Sequence, residues 1–249
     1  MNIEQKVAIV TGAASGFGKA LAIALSQRGA TVAALDIDPH ALANLTATNQ
    51  NIVAFPCDVT NHEQVDQVIA HIDDELGDIS ILINNAGLMR NTPLLNLLDR
   101  NERKHSISSW REVMAVNQDG VFFMARSAAE KMLDKRVKGV IINISSIAAK
   151  GNIGQTAYSA SKAAVEAMSN VWAKELGRFG IRSMCIAPGF IDTSGTHDAL
   201  EDKMLARWVE QTSLRRTGKI NEVVAAVICA VENDFMTGTT IAVDGGLSI

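Results

Sequence analysis

The sequence predicts an α/β fold: a doubly wound parallel sheet of about seven strands with helices on both faces. Short apolar runs rich in β-branched residues alternate with longer stretches whose apolar residues recur at helical spacing. The short runs are apolar on both faces, which is typical of strands buried in a parallel sheet. No proline-rich or Gly/Ser-rich linker interrupts the alternation, so we expect one domain over residues 1–249.

Seven runs fit strands and five stretches fit helices. The predicted strands are residues 7–10, 31–35, 52–55, 79–83, 140–144, 181–186 and 240–243. The predicted helices are residues 19–27, 64–76, 113–132, 158–176 and 222–231. Residues 94–109 break this rhythm, because eight consecutive polar residues at 99–106 exclude a strand there. The segment is either a solvated loop or a lip that contacts a charged ligand.

The composition excludes several functional classes. A chain of 249 residues with 47% hydrophobic residues is neither disordered nor fibrous. The net charge is −4 and no basic run occurs, so neither nucleic acid nor an anionic membrane surface is an expected partner. No run of apolar residues is long enough to span a bilayer. Small-molecule chemistry is the leading class.

Cysteine usage and the N-terminal residues indicate the cell compartment. Cys57, Cys185 and Cys229 are odd in number and far apart, which indicates neither disulfides nor a zinc site. The five histidines are scattered without ligand spacing, so no metal site is predicted. Strand-like residues begin at Lys6 with no signal-peptide pattern before them. A reducing compartment, the cytoplasm, is expected.

A glycine-rich turn follows the first predicted strand. It contains Gly12, Gly16 and Gly18, and a helical stretch begins directly after it. Glycines permit a tight turn and let a diphosphate approach backbone N–H groups at the positive end of a helix. Ser15 and Phe17 complete the turn and are candidate cofactor contacts. The alternative is that these glycines serve only the turn itself.

Asp36 ends the second predicted strand, 18 residues after Gly18. A carboxylate at this position can accept hydrogen bonds from the adenosine ribose of a dinucleotide and repels a 2′-phosphate. The neighbouring positions hold Ser15 and Ile37 in place of a basic residue. The order of strand, glycine turn, helix, strand and acidic residue therefore favours binding of NAD over NADP. The alternative is that Asp36 is a solvated carboxylate at the end of a strand.

Tyr158 is the only tyrosine, and Lys162 follows it by four residues. Residues at this spacing share one face of a helix. Bringing the pKa of a tyrosine from about 10 to near neutral takes about 3 to 4 kcal/mol, and a nearby ammonium acts in that direction. The pair is therefore a candidate proton-transfer unit, although the spacing alone also fits an exposed helical pair.

Together these motifs resemble the classical short-chain dehydrogenases/reductases across essentially the whole chain. The resemblance implies a single Rossmann-type domain, with a cofactor half at about residues 1–145 and a catalytic and substrate-binding half at about 146–249. It also implies a homotetramer built through the two long helices at 113–132 and 158–176. The motifs are the glycine turn at 11–18, Asp58-Val59, Asn-Asn-Ala-Gly at 84–87, the set Asn117, Ser145/Ser146, Tyr158 and Lys162, and Pro188-Gly189.

The resemblance assigns catalytic roles to four residues. Tyr158 would give a proton to a ketone oxygen or take one from an alcohol, while a hydride moves between nicotinamide and substrate carbon. Lys162 would lower the pKa of Tyr158 and bind the nicotinamide ribose. Asn117 would hold a water that links Lys162 to solvent. A serine at the end of the fifth strand would hydrogen-bond the carbonyl.

Cofactor contacts follow from the same resemblance. The adenine would be flanked by Asp58 and Val59, and the ribose would lie along Asn85, Ala86 and Gly87. The nicotinamide amide would be surrounded by Pro188, Gly189, Ile191 and Thr193. Each set also fits a simple strand end or turn.

Two neighbouring serines compete for the catalytic position. The usual family spacing to the tyrosine selects Ser145, whereas alignment of the strand at 140–144 selects Ser146. Successive residues of a strand point to opposite faces, so only one of them can face the site. We prefer Ser146.

The polar insert at 96–109 suggests a subgroup. Together with the segments at 139–158 and 231–245, it resembles the type 2 3-hydroxyacyl-CoA dehydrogenases, which implies NAD-linked interconversion of 3-hydroxyacyl-CoA and 3-oxoacyl-CoA. Arg100, Arg103 and Lys104 are candidates to meet the CoA phosphates, with Asp99 and Glu102 offsetting two of the charges. Residues 192–215, expected to close over the substrate, resemble that subgroup much less.

Three other functions stay open. One is a broad-specificity alcohol dehydrogenase or ketone reductase. Another is a 3-oxoacyl carrier-protein reductase, which in this family more often uses NADPH, so that Asp36 weighs against it. The third is a non-catalytic NAD-binding protein, which would have no need of Tyr158 as a proton-transfer group.

Overall fold

A computed structural model describes residues 1–98, 101–193 and 202–247 of the chain. Its centre is one seven-stranded parallel sheet with the strand order β3-β2-β1-β4-β5-β6-β7. The strands are β1 (Val7–Thr11), β2 (Thr31–Asp36), β3 (Ile52–Pro56), β4 (Ile79–Asn84), β5 (Val140–Ile144), β6 (Arg182–Pro188) and β7 (Thr240–Val243). All seven predicted strands are confirmed to within two residues at each end.

Eight α-helices connect or follow the strands in the described part of the chain. They are α1 (Gly16–Ser26), α2 (Pro39–Thr46), α3 (His62–Leu76), α4 (Ile107–Met114), α5 (Gly120–Asp134), α6 (Thr156–Leu176), α7 (Asp202–Gln211) and α8 (Ile220–Glu232). The helical patterns of the sequence did not predict α2 or α7. Each helix is short, and α2 buries only Leu42 and Leu45.

The core has two layers, one on each face of the sheet. In β1, Ala8 and Val10 pack in the layer that contains α1 and α8, whereas Val7 and Ile9 pack in the layer that contains α3 and α5. Alternate residues of a strand point to opposite faces, so strands buried on both faces must be apolar throughout. The predicted doubly wound fold is confirmed.

The strand order reverses between β1 and β4, because β1 is followed on one side by β2 and on the other by β4. In open parallel sheets of this kind, the crevice beyond the carboxyl ends of the strands at the reversal point is where ligands bind. Here the glycine turn after β1 and the Asn-Asn-Ala-Gly segment after β4 meet at that point. The topology therefore places these two motifs side by side.

One predicted helix is longer than expected and is not uniform. In place of a helix at 113–132, α4 begins at Ile107, a π-helical turn spans Ala115–Asp119, and α5 continues to Asp134. Ser106 caps the start, with its Oγ 3.3 Å from the backbone N of Ser109. The early start was missed because the cap lies inside the polar run.

The described residues of the insert form no strand, as the sequence predicts, but two of its backbone segments do pair. Leu95 and Lys104 form an isolated antiparallel bridge, and the N–H of Asn96 donates to the carbonyl of Arg103 at 2.7 Å. Backbone groups pair whatever the polarity of the side chains, so a polar run does not prevent a short hairpin. Asp99 and Arg100 lie outside the described residues. Within the described ranges, no helix has the length and apolar character needed to cross a bilayer.

Candidate active site

The glycine turn is shaped by close contacts and by positive φ angles. Gly12 has φ +62° and Gly16 has φ +52°, a region that favours glycine. A Cβ on Gly18 would overlap the carbonyl of Gly12 and lie 2.6 Å from Nδ2 of Asn85. Gly18 is buried and is not among the residues that line the cleft in front of the turn, so its close contacts give it a steric role, and its predicted cofactor contact stays a prediction.

Asp36 lies at the end of β2 and is tied to the glycine turn. Its Oδ2 accepts a hydrogen bond from the N–H of Ala14 at 3.0 Å, and its Oδ1 accepts one from the N–H of Asp38 at 3.1 Å. Ile37 follows with 71% of its surface exposed. The carboxylate therefore stands at the edge of the turn, where the sequence places the adenosine ribose.

Most of the predicted cofactor contacts line one open cleft, the cofactor cleft, of about 650 Å³. The described walls include neither Gly18 nor Pro188, Gly189 and Ile191, and the last three line the adjoining cavity instead. The predicted contacts that do line the cleft are Gly12, Ser15, Gly16, Phe17, Asp36, Ile37, Asp58, Val59, Asn85, Ala86, Gly87 and Thr193.

Asn85 connects β4 to the glycine turn. Its Nδ2 donates to the carbonyls of Thr11 and Gly12 at 3.0 and 3.2 Å, and its backbone N–H donates to Oγ1 of Thr11 at 3.0 Å. On the opposite side, Asp58 accepts from the N–H and the hydroxyl of Thr60 at 2.9 and 2.8 Å. Hydrogen bonds within the protein thus hold the polar walls of the cleft in place.

A smaller catalytic cavity, of about 210 Å³, adjoins the cofactor cleft. Phe17, Asn85, Gly87, Leu88 and Thr193 line both spaces. The catalytic cavity also has Ser146, Tyr158, Lys162, Pro188, Gly189 and Ile191 in its walls. Residues that lie far apart in the sequence are therefore gathered in one continuous space.

Tyr158 lies near the start of α6, half-buried, and lines the catalytic cavity together with Ser146. Burial disfavours the phenolate and raises the pKa of Tyr158 above its ordinary value, although hydrogen bonding by the nearby Ser146 acts in the opposite direction. The resemblance implies that Lys162 lowers this pKa, but in the structure burial has the largest effect and raises it, and the lowering contribution comes from Ser146.

Lys162 is 4% exposed and lies one turn further along α6. Its Nζ donates to the carbonyl of Ile144 at 2.7 Å and is 5.6 Å from the centre of the Tyr158 ring. Burial lowers the pKa of Lys162 to about 8, because the charged form has left water. A Cβ on Gly87 would lie 3.6 Å from this nitrogen, so Gly87 lies directly beside it at the edge of the cleft.

The two neighbouring serines point to different surroundings. Ser146 contacts Tyr158 and accepts from the N–H of Ala148 at 3.1 Å, which caps the short 3₁₀ helix Ile147–Lys150. Ser145 is 2% exposed and donates to Oε1 of Glu166 at 2.7 Å. Both serines line the catalytic cavity, but the hydroxyl of Ser145 is already donated to Glu166, and Ser146 as the catalytic serine stays a prediction.

Asn117 lies in the π-helical turn between α4 and α5 and is fully buried. Its Oδ1 accepts from the N–H of Leu88 at 2.7 Å, while its Nδ2 donates to the carbonyl of Leu88 at 2.9 Å and to Oγ of Ser161 at 3.1 Å. The side chain thus holds the segment after β4 against α6. It fixes the position of Gly87, which lies next to Lys162.

The sequence analysis missed Gln155 as a site residue. Gln155 is 6% exposed at the start of α6 and lines the catalytic cavity. Its Nε2 donates to Oδ1 of Asn91 at 2.9 Å, and its Oε1 accepts from Nδ2 of Asn152 at 3.0 Å. These bonds tie the chain leading to the insert to the catalytic helix. Its only sequence signal was its position, three residues before Tyr158.

Residues 12–248 match the model of a family described as enoyl-(acyl carrier protein) reductase. The chain is 36% identical to a 3-oxoacyl-acyl-carrier-protein reductase, FabG, of Thermotoga maritima, and the alignment covers all of both chains. It is 34% identical to a (3R)-3-hydroxyacyl-CoA dehydrogenase of Canis lupus familiaris, over 99% of this chain and 98% of the relative. The human (3R)-3-hydroxyacyl-CoA dehydrogenase is 33% identical, over 98% and 96%.

The chain belongs to the classical short-chain dehydrogenase/reductase family. Members of this family are oxidoreductases that act on CH–OH donors with a nicotinamide dinucleotide, and this chain is one of them. The glycine turn fits such a cofactor. A Cβ built on Gly16 meets nothing within 4 Å, so this residue leaves open the space in front of the start of α1.

Proposed function

We propose that this short-chain dehydrogenase/reductase interconverts 3-hydroxyacyl and 3-oxoacyl thioesters, with NAD(H) as cofactor and a CoA thioester as the preferred substrate. The position of Tyr158 and Ser146 in the walls of one small cavity carries the proposal, because it brings a proton donor and a second hydroxyl together. The relatives support the substrate class, since their names specify 3-oxoacyl and 3-hydroxyacyl groups.

The proton chemistry follows from the state of Tyr158. Its raised pKa keeps the phenol protonated at neutral pH, which suits donation to a ketone oxygen. The nicotinamide dinucleotide, held in the cofactor cleft, would supply or accept the hydride at the substrate carbon. Ser146 donates a hydrogen bond to the same oxygen as negative charge develops on it, an interaction that stabilises the transition state more than the ground state.

Lys162 and Asn117 support this chemistry. Lys162, with a pKa of about 8, would bind the nicotinamide ribose through its nitrogen, which faces Gly87. The side chain of Asn117 hydrogen-bonds to both backbone groups of Leu88. These bonds keep the neighbouring Gly87 close to Lys162. Replacing Tyr158 by phenylalanine removes the proton donor. Turnover by Tyr158→Phe at the wild-type rate would instead identify a different proton source.

The preference for NAD over NADP rests on Asp36. Its carboxylate lines the cofactor cleft, and the next residue is the exposed Ile37, which offers no positive charge. A 2′-phosphate on the adenosine ribose would meet this carboxylate and lose affinity. The proposed ribose contacts are therefore those of NAD.

The carrier-protein thioester is the second candidate, because FabG relatives match the whole chain. We favour CoA because the family's carrier-protein reductases more often use NADPH, which Asp36 disfavours. Arg103 and Lys104 are exposed on the insert, where they can meet phosphate groups, while Arg100 lies outside the described residues.

One comparison tests the whole proposal. Initial rates are measured with acetoacetyl-CoA, the acetoacetyl carrier-protein thioester and an uncharged acetoacetyl ester, each with NADH and with NADPH. A preference for acetoacetyl-CoA with NADH is expected. A preference for the carrier-protein thioester with NADPH would support the FabG activity, and activity with the simple ester alone would indicate a broad ketone reductase. A matched enoyl thioester tests for enoyl reductase activity, which the description of the matching family names.

The proposed assembly is a homotetramer. Large apolar side chains are exposed on both long helices, with Phe122 on α5 at 43% and Val171 on α6 at 48%. Exposed apolar groups on neighbouring helices are suited to burial against another copy. Light scattering coupled to gel filtration is expected to give four times the chain mass, and Phe122→Asp is expected to lower it.

A further inference from the structure

A second cavity, of about 500 Å³, lies against the segment that follows β6. Phe190 and Ile191 line both this second cavity and the catalytic cavity, so the two spaces share a wall. The other walls, near the start of α8 and the end of β7, combine apolar residues and glycines with a few polar and charged residues. They are Leu214, Ala242, Val243, Gly218, Gly245, Gly246, Ser213, Arg216, Glu222 and Asp244. A ligand in the catalytic cavity is therefore separated from this space by Phe190 and Ile191.

The described walls of the second cavity do not suit an anion. Nη1 and Nη2 of Arg216 lie 2.8 and 2.6 Å from the two carboxylate oxygens of Glu222, so this positive charge is already neutralised. The hydrogen bonds from Arg216 lower the pKa of Glu222 to about 2, and the pair stays ionised. Asp244 adds a negative charge, with Oδ1 accepting from the N–H of Gly246 at 2.8 Å. An uncharged apolar group is the occupant that these walls favour.

Ile191 is the fixed part of the shared wall. It is 3% exposed, and a Cβ on Gly218 would lie 2.5 Å from its Cδ1. The backbone on each side is paired with the same glycine, since Gly218 donates to the carbonyl of Phe190 at 2.9 Å and accepts from the N–H of Asp192 at 2.8 Å. The main chain of this segment is thus held in place.

Phe190 is the adjustable part of the wall. Its side chain is half-buried, and its ring packs on Trp208 of α7 with centroids 5.2 Å apart and planes tilted by 31°. Because this side chain lines both cavities, its size affects how far the two spaces are separated.

We propose that the second cavity receives the distal part of the acyl chain and that Phe190 sets the chain length accepted, an inference that rests on the proposed thioester function. The catalytic cavity alone, at about 210 Å³, is smaller than the volume usual for ligand sites, about 300 to 1,000 Å³. It holds the reacting end of the substrate. The chain beyond that end needs the apolar space behind Phe190.

The test compares kcat/KM for a 3-oxododecanoyl thioester with that for the matching acetoacetyl thioester. Phe190→Ala removes the partition and is expected to raise the long-to-short ratio about tenfold, chiefly through KM. Leu214→Trp fills the second cavity and is expected to lower the ratio about tenfold. Leu97→Trp is the matched control, since Leu97 is an exposed leucine among the walls of neither cavity, and its ratio is expected to equal that of the wild type.

The outcomes separate this inference from the proposed function. Opposite shifts of the ratio in Phe190→Ala and Leu214→Trp support the inference. Wild-type protein that reduces both thioesters, with the ratio unchanged in both variants or shifted equally in Leu97→Trp, overturns the inference alone. Wild-type protein that reduces neither thioester overturns the proposed function and the inference with it.

Discussion

Exchanging each of the two adjacent serines for alanine tests the geometry at the end of β5. Ser146→Ala removes the hydroxyl that bonds to Tyr158, and the loss of one such donor is expected to lower kcat by about 100- to 1,000-fold. Ser145→Ala removes a buried hydroxyl that bonds to Glu166. It is expected to reduce the free energy of unfolding by about 1 to 3 kcal/mol while kcat changes by only a few-fold.

Two measurements separate the effects. The first is kcat with acetoacetyl-CoA and NADH. The second is the melting temperature, for which 1 kcal/mol corresponds to roughly 2 to 4 °C in a protein of this size. Ser146→Ala also loses the cap of the 3₁₀ helix, about 0.5 to 2 kcal/mol, so the two variants have comparable melting temperatures. Each variant is therefore the folding control for the other.

Ser146→Ala is also expected to change the pH dependence of alcohol oxidation. The hydrogen bond from Ser146 lowers the pKa of Tyr158, so its removal raises that pKa further. Alcohol oxidation needs the phenolate, which forms only as pH rises through this pKa, and the rising limb is expected to move to higher pH in Ser146→Ala. A larger loss of kcat in Ser145→Ala than in Ser146→Ala would refute the assignment.

Three further changes probe the cofactor turn and the catalytic lysine. Asp36→Asn removes the charge that repels a 2′-phosphate but keeps an oxygen for the turn, so the NADPH-to-NADH ratio of kcat/KM is expected to rise at least about tenfold. Gly18→Ala forces a Cβ against the carbonyl of Gly12 and is expected to destabilise the fold by about 1 to 3 kcal/mol. Gly177→Ala, with φ −57° and nothing within 4 Å of the added carbon, is the control and is expected to be neutral or slightly stabilising. Burial lowers the pKa of Lys162 to about 8 from 10.5, so between these pH values the folded protein has lost a proton that the unfolded chain keeps. The free energy of unfolding therefore rises by up to about 3 kcal/mol as the pH increases between these two pKa values. In Lys162→Met this pH-dependent rise is expected to be absent.

For each of these variants, one result would contradict the prediction. An unchanged cofactor ratio in Asp36→Asn would show that the carboxylate does not face the ribose. Equal melting temperatures for Gly18→Ala and Gly177→Ala would remove the steric argument for the glycine turn. Urea denaturation at several pH values gives the free energies for Lys162→Met. An identical pH dependence in variant and wild type would show that the lysine is not held in a desolvated site.

The elements that the sequence predicted are those defined by local pattern. Every strand of the sheet is a run of apolar residues, and burial on both faces requires such runs. The glycine turn, Asp36 and the Tyr158–Lys162 pair were recognisable because each depends on spacing along the chain. These signals placed the cofactor cleft and the catalytic cavity before any tertiary contact was considered.

What the sequence could not predict depends on contacts between distant residues. Ser145 and Ser146 differ in role because Glu166, 21 positions away on α6, bonds to the first of them. The raised pKa of Tyr158 reflects burial by neighbouring elements, which i, i+4 spacing does not describe. Leu95 pairs with Lys104 through backbone hydrogen bonds, which the polarity of the side chains does not predict.

The π-helical turn at Ala115–Asp119 accommodates one residue more than an α-helical turn, and it joins two helices that face different surroundings. One additional residue rotates the second helix about its axis by about 100°. Asn117 lies in this turn and holds Leu88 through both backbone groups, so the register of the turn fixes an element of the site. Deleting a single codon in this turn would rotate one helix against the other and uncouple Asn117 from Leu88. A one-residue insertion or deletion here is thus an evolutionary step by which a relative could gain or lose an active site without altering its sheet.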